Sequence, residues 1–141
     1  MYDRKMLGLR DADKIVDAII SDSVKKNGAP LSIAVVDFRG DLVKFARMDG
    51  ASFNSANMAI AKAYSSARLR RDSSKIREWT NSLNGELYDW TDPKLTTLGG
   101  AVCIYDKTEA KPTVVGAVGV GGWPTWEEDE VAAQLGVAAM D

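Results

Sequence analysis

Histidine is absent from the sequence. That removes the Ser-His-Asp and Cys-His triads, the histidine general base and every histidine-ligated zinc site. Cysteine is nearly absent too. Cys103 stands alone, so no internal disulfide can form and a Cys-rich zinc site is excluded. No metal site is therefore predicted. Nothing approaches the ~18 consecutive apolar residues of a membrane span, and the start MYDRKMLGL carries no apolar signal core. Neither sign of charge dominates. With 18 basic against 20 acidic residues the net charge is −2, so no broad cationic surface for phosphate neutralisation is expected. These absences predict a protein of a reducing, cytoplasmic compartment with no membrane and no nucleic-acid partner.

What is present suits one domain over residues 1–141, since 45% hydrophobic and 27% charged residues are ordinary globular values. Ala12, Ile15, Val16, Ile19 and Ile20 recur at helical spacing over residues 11–27, with Gly28 placed to end the helix and Pro30 to prevent its resumption. LSIAVVDF and LVKFARM read as two strands around an Arg-Gly turn, the first apolar enough to be covered on both faces. Residues 54–70 read as a helix with Ala56, Ala59, Ile60, Ala63 and Ala67 on one side, small enough to sit close to a sheet. A shorter helix follows around Ile76, Trp79 and Leu83, then an aromatic loop, LYDWTDPK. AVCIY and TVVGAVGV are strands, and residues 126–139 form a last helix. The order α-β-β-α-α-β-β-α favours an antiparallel sheet and an α+β class.

Glycines 116, 119, 121 and 122 precede that last helix, which raises the question of a phosphate loop. Their order does not match G-x-G-x-x-G, and no G-K-[ST] follows. Thr125 and Glu128 have capping-box spacing, and the acids from Glu127 to Glu130 complement the positive helix end that a phosphate would need. A nucleotide site is not expected here.

VVGAVGVGG followed by an acidic helix resembles the closing signature of the GlcG/HbpS-like family. LSIAVVDFRGDLVKFARMDGA resembles that family's first hairpin with its Met-Asp-Gly-Ala end, Met48–Ala51. AIAKAYSSAR resembles its Ala-rich helix with Lys62, and Gly99-Gly100 its glycine pair before the third strand. The chain departs from the family with Gly121-Gly122 in place of Ser-Gly, and with Val102 in place of proline. The resemblance implies a profilin-like α/β/α fold with a roughly five-stranded antiparallel sheet, and assembly into a homo-oligomer. It also implies a small-molecule ligand, with haem or a corrinoid as cofactor candidates.

The candidate site residues follow from chemistry and resemblance together. Asp49 is either a turn carboxylate or a pocket acid or base, and Lys62 either snorkels to water or turns inward to an anion such as Asp49 or Asp129. Met48, Gly50, Tyr64, Ser66, Gly99, Gly100, Gly121, Gly122, Trp123 and Asp129 are the candidate ligand-binding set. Arg68, Arg70, Arg71, Lys75 and Arg77 read as a solvated helix end or as a clamp for a carboxylate or propionate. Trp79, Tyr88, Trp90, Trp123 and Trp126 either pack or wall a flat ligand. With no histidine, haem iron would need Tyr64, Tyr88, Met48 or Met58. The reading is an oligomeric small-molecule-binding protein. The alternative is a metal-independent isomerase, lyase or hydratase using Asp49 and Lys62 on a small organic acid or aromatic compound.

Overall fold

The computed structural model describes residues 1–141. The apolar stripe predicted for the first helix is buried along α1 (Leu9–Lys25), where Ala12, Ile15, Val16 and Ile19 are at most 1% exposed. Burying such an Ile or Val side chain contributes about 1.5–3 kcal/mol. The left-handed residue that ends α1 is Asn27 (φ 50°), not Gly28, whose N–H instead donates to Ser23 O at 2.8 Å. Gly28 serves another purpose: a Cβ there would lie 2.2 Å from the Trp123 ring.

β1 (Ser32–Asp37) is buried at every residue, which matches its continuous apolar run. The Asp37 carboxylate closes the turn to β2 (Leu42–Arg47) by accepting the N–H groups of Arg39 and Asp41. After α2 (Phe53–Leu69) come a 3-10 turn (Ser73–Lys75), α3 (Ile76–Ser82) and a second 3-10 turn (Leu87–Trp90). β3 (Ala101–Asp106), β4 (Thr113–Gly121) and α4 (Trp126–Ala138) complete the chain.

The sheet has four antiparallel strands in the order β2-β1-β4-β3, not the roughly five implied by family resemblance. The irregular segment that would have supplied a fifth folds into local turns. Asp89 accepts the Glu86 N–H (2.8 Å) and Asp92 the Lys94 N–H (3.1 Å), so side chains take donors that a strand would offer to a neighbour.

Ile33, Val35, Val102, Ile104, Val118 and Val120 pack with α1 and α4 in the larger core. Ala34, Val36 and Ala117 meet Ala59, Ala63 and Ala67 of α2 on the opposite face. Small residues on both sides let α2 approach as its sequence suggested. At Gly119 an added Cβ would fall 2.2 Å from Ala59 O and 2.8 Å from Ala63 N. Ile60 departs from the expected buried set: it is 36% exposed and points away from the sheet. The inward positions go to Ser55, Lys62, Ser65 and Ser66 instead.

The segment before α1 is tied to the β3–β4 turn. Lys5 pairs with Asp106 at 3.1 Å and donates to Thr108 Oγ1 at 2.8 Å. The Thr108 hydroxyl, its N–H and Lys5 hold the Asp106 carboxyl down at about 2, against an ordinary 3.8. A depressed carboxylate stabilises the fold above its unfolded value and loses that contribution as pH falls through its folded one. Following the Asp106 carboxyl carbon by NMR should therefore give a midpoint near 2, and Thr108→Ala should move it toward 3.8.

Candidate functional site

Lys62 reaches inward from α2 and is 1% exposed. Its ammonium donates to Val120 O at 3.0 Å and to Asp129 Oδ2 at 3.1 Å, while Asp129 Oδ1 accepts the Trp123 N–H at 3.0 Å. Burial raises the Asp129 carboxyl, and the charge and hydrogen bond of Lys62 act against that rise. The two sequence candidates thus meet as a hydrogen-bonded buried pair.

The glycines around the pair are consumed by packing. A Cβ on Gly100 (φ 122°) would lie 2.7 Å from Lys62 Nζ and 3.0 Å from Asp129 Cβ. Gly99 lies against the Trp126 ring, Gly121 against Ser55 O, and Gly122 (φ 128°) against Pro30 O. Thr125 Oγ1 accepts the Glu128 N–H, and Thr125 O the Asp129 N–H, so the first turn of α4 already has partners. None of the four main cavities is lined by Lys62, Asp129 or these four glycines.

Asp49 lies apart from this cluster. It and Gly50 (φ 84°) are exposed in the turn after β2, and no hydrogen bond or ion pair joins Asp49 to Lys62. Met48 Sδ accepts the Leu31 N–H at 3.3 Å. Ser66 is fully buried, and its carbonyl accepts from Cys103 Sγ at 3.3 Å. Burial pushes the Cys103 thiol up to about 12, which leaves it inert.

Three cavities of about 550, 550 and 570 Å³ open at the surface. The first runs beside β3 and carries Asp11, Asp72, Asp106 and Asp141 against Lys5 and Lys107. The second lies between the end of α1 and the start of α4, where Trp123 is accompanied by Asp22, Glu127 and Glu128. Lys26 lines the second as well, and in both the carboxylates outnumber the cations.

The third differs in charge. It is a trough along the outer face of α2, floored by Leu42, Ile60, Ala61 and Leu95 and centred on Tyr64. Gly40 (φ 91°) makes room for that ring, since a Cβ there would lie 2.7 Å from Tyr64 Cδ2. The Tyr64 hydroxyl donates to Asp92 Oδ2, which fixes the ring against the loop. Burial, and then the bond to Asp92, raise the Tyr64 phenol, while Tyr64 is the main cause that lowers Asp92. Arg68 and Lys94 approach the ring, 5.4 and 5.5 Å from its centroid. Neither forms an ion pair.

Beyond Arg68 the trough continues past Leu69, Trp90 and Thr91. Trp90 stacks on Trp79 with centroids 5.0 Å apart, and Arg71 covers Trp79 at 3.8 Å. These aromatics thus brace the wall of the trough, whereas Tyr88 is 76% exposed. Of the sequence candidates Tyr64, Arg68 and Trp90 line the trough; Trp123 lines the acidic cavity. Lys94, Ile60 and Gly40 were missed. The Asp92-Pro93 turn in the aromatic loop was the one sequence signal near Lys94.

The family described as haem degrading protein HbpS-like matches residues 7–138. GlcG of Escherichia coli K12 is 33% identical over 112 residues, which cover 77% of this chain and 79% of that protein. The crystal structure of a double mutant of Streptomyces reticuli HbpS superposes over all of this chain and 91% of that one, with a TM-score of 0.85 at 26% identity. A PduOC–haem complex shares the fold at 20% identity, with a TM-score of 0.80 over 96% of this chain and 95% of its own. By its matched family over nearly its whole length, this chain belongs to the HbpS-like family.

Proposed function

We propose that the chain binds a flat, carboxylate-bearing small molecule of the tetrapyrrole kind in the trough along α2. The observation that carries this reading is the pair Arg68 and Lys94, two cations without ion-pair partners flanking one aromatic ring above an apolar floor. An apolar floor takes a ring face, and two cations take two carboxylates. The other two large cavities, edged by carboxylates, would repel such a ligand. Family membership and the haem-bound relative of the same fold support the choice. Haem, with two propionates, suits this trough better than a corrinoid whose side chains are amides.

Assembly with further copies belongs to the same reading, because Phe53 at 97% exposure and Trp126 at 45% leave apolar surface uncovered.

The test is a hemin titration of tag-free protein followed in the Soret region, with cobalamin alongside and the mass checked by light scattering. Removing the tag matters because it would add the only histidines. A saturable change near one hemin per subunit is expected, and little response to cobalamin. Arg68→Ala with Lys94→Ala should weaken hemin about tenfold, since two partly exposed charge pairs at up to about 1 kcal/mol each reach that factor. A flat titration, or a double variant that binds like the parent, overturns the reading.

A further inference from the structure

We infer that the trough holds a tetrapyrrole by its ring face and its carboxylates and offers its metal no protein ligand, so that a metal-free porphyrin is as good a ligand as haem. This rests on the proposed function above and specifies its ligand class.

Imidazole is absent from the chain. Along the trough only Tyr64 offers a phenol, and its hydroxyl proton is given to Asp92. Burial and that carboxylate both disfavour the phenolate that iron would require. Asp92 is itself occupied on both oxygens, by the Tyr64 hydroxyl and by the Lys94 N–H at 3.1 Å. Asp41, at the rim, pairs with Arg39 at 3.4 Å.

No sulfur atom, Met58 included, lines the trough. Met48 Sδ accepts the Leu31 N–H, and Cys103 is 4% exposed with its thiol directed at Ser66 O. Neither lines the trough. Asn57, Thr91 and Thr96 add only neutral amide and hydroxyl oxygens, none of them the imidazole, thiolate, thioether or phenolate that holds haem iron. Beside them a ligand faces apolar surface, one hydrogen-bonded aromatic ring and the cations of Arg68 and Lys94. Those groups recognise the organic ring system and its acid side chains, which are the same with or without metal.

The experiment compares dissociation constants of the tag-free chain for hemin and for metal-free protoporphyrin IX, both measured by quenching of tryptophan fluorescence. The inference expects the two to agree within about threefold, because a protein–metal bond worth 1.4 kcal/mol would already separate them tenfold. Hemin binding at least tenfold tighter overturns the inference, whichever residue supplies the ligand, and leaves the trough reading intact. Failure of both porphyrins to bind overturns the trough reading, and the inference falls with it.

Discussion

Gly119→Ala is expected to destabilise the protein by about 3 kcal/mol or more, a large share of the ~5–15 kcal/mol that holds a domain together. The added methyl would meet Ala59 O at 2.2 Å and Ala63 N at 2.8 Å. Both are backbone atoms of α2, so no rotamer change can relieve the clash. The helix would have to lift from the sheet, opening gaps beside Ala34, Ala63 and Ala117, all now inaccessible to solvent. Gly85→Ala is the control. Its Cβ would meet Asp89 Oδ2 at 3.5 Å and Thr80 O at 3.6 Å, and the change should stay within about 0.5 kcal/mol. Urea midpoints of the two variants against the parent measure the difference. Near-equal midpoints would mean that α2 does not sit as closely as described.

Lys62→Met is expected to cost about 3–5 kcal/mol, the usual penalty for leaving one member of a buried ion pair alone. The Asp129 carboxylate would remain enclosed, keeping the Trp123 N–H but losing its cation. Adding Asp129→Asn should restore most of the loss, because an amide oxygen still accepts from Trp123 and no charge is stranded. The pH dependence of the single variant has a definite sign. Burial already raises Asp129, and removing Lys62 removes the main opposing influence. The native state then binds a proton that the unfolded chain releases, so the variant should gain stability as pH falls through the raised folded value toward the ordinary 3.8. Urea melts at pH 7 and pH 5 read this directly. A variant that weakens on acidification would contradict the pairing.

Much of the architecture was legible because it is written locally. A continuous β-branched run and an Arg-Gly turn specify the β1–β2 hairpin, and the Ala-rich face of α2 announces a close helix–sheet contact. Local spacing could not say which side of α2 Ile60 would take, because Lys62 claims an inward position by finding Asp129 across the fold. Nor could spacing show that Gly99, Gly100, Gly121 and Gly122, named through the resemblance, each pack against a side chain or carbonyl brought from elsewhere in the chain. The trough shows the same limit. Tyr64 was visible as a candidate, but Lys94 reaches its ring only after the aromatic loop folds back over α2. The chemistry of single residues could be read in advance; their company could not.

The strand order also governs the tempo of folding. β2-β1 and β4-β3 are hairpins that can close early, over short loops. Their union depends on pairing β1 with β4, where Ser32 opposes Gly121 and Asp37 opposes Gly116. That seam joins distant parts of the chain, so its closure entropy falls due before most of the core can repay it. Topology therefore makes the β1–β4 pairing the contact expected to limit the folding rate.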